Sequence, residues 1–329
     1  MPLINHCNGG GGTPQLCGQV ENFEADSGNL SVILSWAAPS PDEDNSFVGV
    51  RIVRKIGSAP TGISDGTVVY EGTALSYTDT GLTAGTTYYY RAFAYNAKRK
   101  YQTEYRVINK TAMAIQPNFA DNTWGQIMEA CHSGEVPDTW VAGDSKTMTI
   151  DGADYQFDIV GKNHDTYTAG GIAPLTFGMH DCYGTEYPMN DTDTNSTGWD
   201  NSKMRTKTLP AILAKMPENI QNGIRAVSKL TATSGNSSKI KTASDKLFTF
   251  SEMEVYGSTT NSYRGEGKQY DYYKAGNSKV KKVSGTASVW WLRSPIAAAS
   301  NNFCIVNTKG LGSNNIASAS NGVCFGFCF

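Results

Sequence analysis

The chain has 329 residues, enough for two domains that bury their own cores without a metal or disulfide staple. Its 28 Lys and Arg against 30 Asp and Glu leave a formal net charge of -2, which argues against a nucleic-acid binder, whose surface carries a basic excess. Charged residues make up 18% of the chain, and no apolar run approaches the roughly 20 residues that span a bilayer. Strands and ordered loops are therefore expected, and membrane insertion is not.

Residues 1–16 form a Gly-rich N-terminal segment containing Gly9 to Gly12. Such a run buries too little apolar surface to order itself, so it is a flexible lead or a segment that docks on another subunit. It has neither the cationic start and apolar core of a secretory signal nor a lipidation motif. The expectation is synthesis and release in a cytoplasm.

Residues 17–113 alternate short strands with turn signals. Val32, Leu34 and Trp36 share one strand face, and Pro39, Pro41 and Asp42 make the next break. Val48, Val50 and Ile52 share a face of the following strand, and Val68 to Tyr70 form another. This spacing predicts an all-β sandwich. Trp36 with Leu82, Thr86 and Tyr88 resembles the signature of fibronectin type III or Ig-like modules, with Ala84 where the family has Pro. The resemblance implies that Tyr88 is a corner tyrosine and that the module is a spacer or attachment unit.

Residues 114–329 make the second domain. Gln126 to Cys131 predicts a short helix, and two strands flank a hairpin turn at Asp151-Gly152. Leu175 to Met179 predicts a buried strand. Ser202 to Lys215 and Met216 to Ile220 predict two helices, with Pro217 in the first turn of the second. Ile224 to Thr231 and Lys246 to Phe250 predict strands. Ser251 and Glu254 stand at capping-box spacing. Gly257 to Gly276, with Tyr263, Tyr270, Tyr272 and Tyr273, reads as a long surface loop, and Lys279 to Lys282 as a solvated basic face.

The most distinctive string is Val289-Trp290-Trp291-Leu292-Arg293-Ser294-Pro295. Adjacent Trp residues on a strand point to opposite faces, so one fills the core and the other braces a loop. Arg293 offers a guanidinium fork that can hold a backbone turn. Ile296 to Asn321 is rich in Ala, Ser, Asn and Gly, and Val323 to Phe329 reads as a strand buried on both sides. The intervening residues are then held between two fixed strands.

The segments Gly198-Trp199-Asp200-Asn201-Ser202-Lys203-Met204-Arg205, Lys246-Leu247-Phe248 with Ser251 to Glu254, Trp290 to Pro295, and Gly322-Val323-Cys324-Phe325 occur in that order. Together they resemble the retroelement-diversified variable proteins of phages and bacteria, over about 200 residues. The resemblance implies an α+β C-type-lectin-like domain with a variable region at about 290–329. In that family, mutagenesis at adenines converts Asn codons into many alternatives without creating stops. The expected variable, ligand-binding positions are Ile296, Ala299, Asn301, Asn302, Ile305, Asn307, Leu311, Ser313, Asn314, Asn315, Ile316 and Ala319, with Trp290, Trp291 and Arg293 as scaffold. Strand parity turns Cys304 and Val306 to the core and leaves Ile305 an exposed apolar residue. The implied role is host attachment by a phage tail or virion-surface protein. Its partner is a host cell-surface protein or glycan, and the N-terminal region joins other virion proteins. A bacterial surface adhesin of the same fold is the alternative.

The related fold also hosts formylglycine-generating oxidases that use a cysteine pair. Here Cys324 and Cys328 share parity in an apolar run, which suits inert buried thiols better than thiolates. His6, His132, His164 and His180 show no zinc spacing, and no nucleophile elbow accompanies His180-Asp181. Asp191, Asp193 and Asn195 alternate in a loop of the kind that holds calcium, yet a solvated loop is the simpler reading. No cofactor, metal or catalytic residue is expected.

Overall fold

A computed structural model describes residues 18–39, 47–102 and 106–329. The Gly-rich segment with Cys7, Cys17, and the break at Pro41 and Asp42 lie outside the described residues. The chain divides into two compact units, Met1–Ile115 and Gln116–Phe329. No helix among the described residues is long and apolar enough to cross a membrane.

In the first unit the strands are β1 (Glu21–Ser27), β2 (Val32–Ala37), β3 (Phe47–Ile56), β4 (Thr67–Gly72), β5 (Ser76–Asp79), β6 (Thr87–Asn96) and β7 (Arg106–Thr111). They form a three-stranded sheet, β1-β2-β5, and a four-stranded sheet, β4-β3-β6-β7, all antiparallel. Val32, Leu34 and Trp36 from the first sheet and Val50, Ile52 and Tyr90 from the second share one buried cluster, which makes a β-sandwich. The Tyr88 hydroxyl accepts a hydrogen bond of 3.1 Å from the Thr83 N–H, five residues upstream, and so ties the corner. Val48 departs from the expected face. A register shift between Phe47 and Gly49 turns it outward, whereas Val50 and Ile52 are fully buried.

The second unit begins with α1 (Trp124–Ser133), opened by a capping box between Thr123 and Gln126 and closed by Gly134 in the left-handed region. The strands β8 (Ser145–Ile150), β9 (Ala153–Lys162) and β10 (Leu175–Met179) follow, then the short β11 (Tyr187–Pro188). A turn of π-helix (Met204–Thr208) leads into α2 (Leu209–Leu213) and α3 (Glu218–Gly223). Next come the hairpin β12 (Val227–Ser234) and β13 (Ser237–Asp245), then β14 (Phe248–Thr249), α4 (Glu252–Tyr256) and α5 (Asp271–Lys274). The remaining strands are β15 (Lys281–Val283), β16 (Thr286–Ser288), β17 (Trp290–Pro295), β18 (Asn302–Val306), β19 (Gly312–Ile316), β20 (Ser320–Asn321) and β21 (Phe325–Cys328). The expected strand over Ile224 to Thr231 starts later, at Val227, and the one over Lys246 to Phe250 shrinks to β14.

The five-stranded antiparallel sheet β14-β21-β10-β9-β8 is the foundation. β21 lies inside it, and all four of its residues are buried, as a two-sided apolar strand requires. On one face Trp124 of α1 meets Phe157, Phe177, Phe327 and Phe329, with ring centroids 5.4 to 6.2 Å apart. On the other face Gly178 and Gly326 stand opposite each other in register. A side chain at Gly178 would strike the Phe250 ring, and one at Gly326 the Phe248 ring, so the glycines make room for aromatic cover. The second sheet, β17-β18-β19, carries the string identified above.

Candidate ligand-binding surface

The surface rests on a buried ionic frame. Arg293 of β17 and Glu254 of α4 form a doubly bonded pair, with Nη1 2.6 Å from Oε2 and Nη2 2.8 Å from Oε1. The rest of the guanidinium donates to the carbonyls of Thr249, Leu230 and Glu266. Lys229 of β12 reaches Glu254 at 2.6 Å, Asp165 at 2.8 Å and the Tyr270 hydroxyl at 2.8 Å. Burial pushes both carboxyls up, but the cations outweigh it. Arg293 and Lys229 hold Glu254 below the usual carboxylate range, and Lys229 holds Asp165 down to about 2. Burial raises Glu266, which favours its neutral form. Two cations thus face two carboxylates, and the cluster is balanced without solvent.

Around this frame the loop 296–302 is bolted at several points. The Asn195 side chain donates to the Asn302 carbonyl at 2.7 Å and accepts from the Gly235 N–H at 3.2 Å. Ala297 N–H donates to Asn261 O, and Ala298 N–H to Gly235 O. A Cβ at Gly235 would collide with the carbonyl oxygens of Ile296 and Ala299, so the close approach requires glycine. The buried Glu252 carboxylate collects the N–H groups of Thr260, Asn261 and Ser262 and folds the segment that carries Asn261.

The expected positions divide by burial. Asn301, Leu311, Asn314 and Ile316 are exposed, with Leu311 at 60% and Ile316 at 40%. Ile296, Ala299, Asn302, Asn307, Ser313, Asn315 and Ala319 are half-buried. Ile305 is the correction: it is buried, at 5% exposure, along with Cys304 and Val306. β18 is the middle strand of its sheet, and both of its faces are covered, so parity alone does not send Ile305 to solvent. Trp290 and Trp291 are both fully buried; their indole N–H groups hold the carbonyls of Lys279 and Tyr187.

Two other expectations are overturned by burial. The region 257–276 is irregular up to Tyr270 and exposed at Arg264 and Lys268, but it is not a surface loop throughout, because Glu266 and Tyr270 are fully buried and Tyr272 and Tyr273 nearly so. Lys281 is also buried and donates to the His180 carbonyl at 2.8 Å, so the cluster around it is not a solvated face throughout. Sequence reasoning missed Asp165, Lys229, Gly235 and Glu266, whose roles depend on partners far along the chain, and it read Asn195 as part of a solvated loop.

Cys131, Cys182, Cys304, Cys324 and Cys328 are free and buried. Burial raises the Cys324 thiol to about 11 and lifts Cys328 well above its ordinary value, which disfavours the thiolate that oxidase chemistry needs. Asp191 pairs with Lys203, Asp193 binds Ser318, and Asn195 is the loop bolt. No group of three or more metal-ligating side chains occurs among the described residues. His180 hydrogen-bonds Asp158 at 2.8 Å beside a cleft of about 420 Å³ that Tyr155, Gln156 and Lys282 also line.

The chain is therefore a β-rich protein whose first unit is a β-sandwich. Residues 175–328 match the family model described as a domain of unknown function, DUF6273. No curated protein matches the chain. Similar solved structures include a computationally redesigned β-sandwich protein, 22% identical, with a TM-score of 0.25, over 30% of this chain and 98% of that one. A human fibronectin type III domain derived from the KIAA0970 protein is 22% identical, with a TM-score of 0.23, over 31% of this chain and 77% of that one. The twitchin kinase region of C. elegans is 13% identical, with a TM-score of 0.24, over 68% of this chain and 51% of that one.

Proposed function

We propose that the second unit is a C-type-lectin-like domain that displays a ligand-binding surface over residues 296–321, and that the protein attaches a phage particle to its host. The observation that carries this reading is the contrast between frame and surface. A fully buried Arg293–Glu254–Lys229 network underlies a segment whose Leu311, Asn314 and Ile316 side chains are exposed. Side chains that the core does not use can change without unfolding the domain, which suits a diversified recognition surface and the retroelement resemblance. Exposed Leu311 and Ile316 supply apolar anchors, and display in many copies would strengthen weak binding. The first unit is then a spacer toward the particle.

The test is flow cytometry of the fluorescently labelled full chain on a panel of bacterial strains. The wild-type chain is expected to stain at least one strain, and Leu311→Glu combined with Ile316→Glu to abolish the stain. Ile172→Glu, at another exposed apolar residue, is expected to retain it. Staining that survives the double substitution, or no strain stained, overturns the reading.

A further inference from the structure

β19 is an outer strand, hydrogen-bonded to β18 alone in its sheet. Its register pairs Asn302 with Ile316 and Val306 with Gly312, without a shift. The same register continues through Asn307 N–H to Leu311 O and Ala317 N–H to Asn301 O. Odd-numbered residues therefore carry the bonds to β18, and even-numbered residues turn their N–H and C=O outward. The Ile316 N–H bears this out by bonding the adjacent Asn315 Oδ1 at 2.9 Å. The outward N–H and C=O of Gly312 and Asn314 have no partner among the described residues.

Free edges of this kind invite another strand, and proteins blunt them with charges, proline or bulges. Several other edge strands carry charges that reach solvent, such as Lys146 on β8, Lys110 on β7 and Glu71 on β4. β19 reads Gly-Ser-Asn-Asn-Ile and has no such guard. Lys309 is the one charged residue between positions 296 and 321. The aromatic residue of that stretch, Phe303, is fully buried.

We propose that the ligand of this surface is a polypeptide that adds an extended, uncharged strand to the free edge of β19. This rests on the reading of 296–321 as the binding surface and names its partner's chemistry. The backbone of Gly312 and Asn314 supplies the pairing, while Leu311 and Ile316 flank the docked strand and receive its apolar side chains. With no complementary charges involved, association depends little on salt.

The experiment pans a random heptapeptide phage library on the full chain and measures the enriched peptides, resynthesised with a dye, by fluorescence anisotropy. Uncharged peptides are expected to be enriched. Asn314→Pro, which removes an outward N–H and leaves the bonds to β18, is expected to weaken binding at least about ten-fold. Asn314→Ala, which keeps that N–H, is expected to stay within about two-fold of wild type. Independently of any variant, hydrogen exchange of the wild-type Asn314 amide is expected to slow on peptide binding. Enrichment of charged peptides, equal losses in both variants, unchanged exchange at Asn314, or binding to a glycan array with no peptide enriched overturns the strand. If Leu311→Glu abolishes peptide binding and Asn314→Pro does not, the surface stands and only the strand pairing fails.

Discussion

Arg293 and Glu254 face each other with no solvent between them, and each oxygen of the carboxylate takes its own guanidinium nitrogen. That pair joins β17 to α4 and fixes the start of the displayed segment. Arg293→Met leaves Glu254 buried beside Lys229 with half its donors gone. The expected loss is about 3–5 kcal/mol of unfolding free energy, read from urea denaturation. Arg293→Lys is expected to lose a comparable amount, because an ammonium cannot reproduce the fork.

Gly235 and Asn195 predict a more local effect. Gly235→Ala pushes a methyl group into the Ile296 and Ala299 carbonyls, and Asn195→Ala leaves the Asn302 carbonyl without its side-chain donor. Asn195→Ala is expected to cost about 1–3 kcal/mol. In both variants hydrogen exchange is expected to quicken first at 296–302, with the five-stranded sheet unchanged.

Ile305 and Ile316 form a matched contrast on neighbouring strands. Ile305→Ala empties a core site and is expected to cost about 2–5 kcal/mol. Ile316→Ala, at a position 40% exposed, is expected to stay within about 0.5 kcal/mol of wild type. Thermal or urea unfolding of the two variants separates frame from surface.

These residues also show what the sequence made legible. The capping box of Ser251 and Glu254 spans three positions and was readable, because its chemistry is local. So were the strand at Leu175 to Met179 and the apolar run that becomes β21, since each is signalled by its own residues. Ile305 was not, because its burial depends on cover over both faces of β18, supplied by segments distant in the chain. Lys229, Glu266 and Lys281 look like solvent residues until their partners, up to about a hundred positions away, close around them. Tyr270, Tyr272 and Tyr273 are hidden from sequence reading for the same reason, because the polar residues around them signal a loop at the surface.

His180 and Asp158 predict a pH dependence with a definite sign. The hydrogen bond to Asp158 raises the His180 imidazole above its ordinary 6.5, against the opposing effect of burial. A raised folded value means the stabilisation is fully present below 6.5 and is lost as pH rises through the folded value. The stability difference between wild type and His180→Gln is therefore expected to shrink as pH rises from below 6.5 into the mildly alkaline range in paired urea titrations. A difference that grows over that range contradicts the assignment.

The central claim is that a frame closed by β21 tolerates change at the displayed side chains. The most direct measurement is protease-resistance sorting of a displayed library of the full chain, randomised together at Asn301, Leu311, Asn314 and Ile316. Most members are expected to resist protease as wild type does, while an equal library at Phe303, Ile305 and Val306 collapses. Equal collapse of the two libraries would show that the displayed residues hold the fold together, and the account would fail.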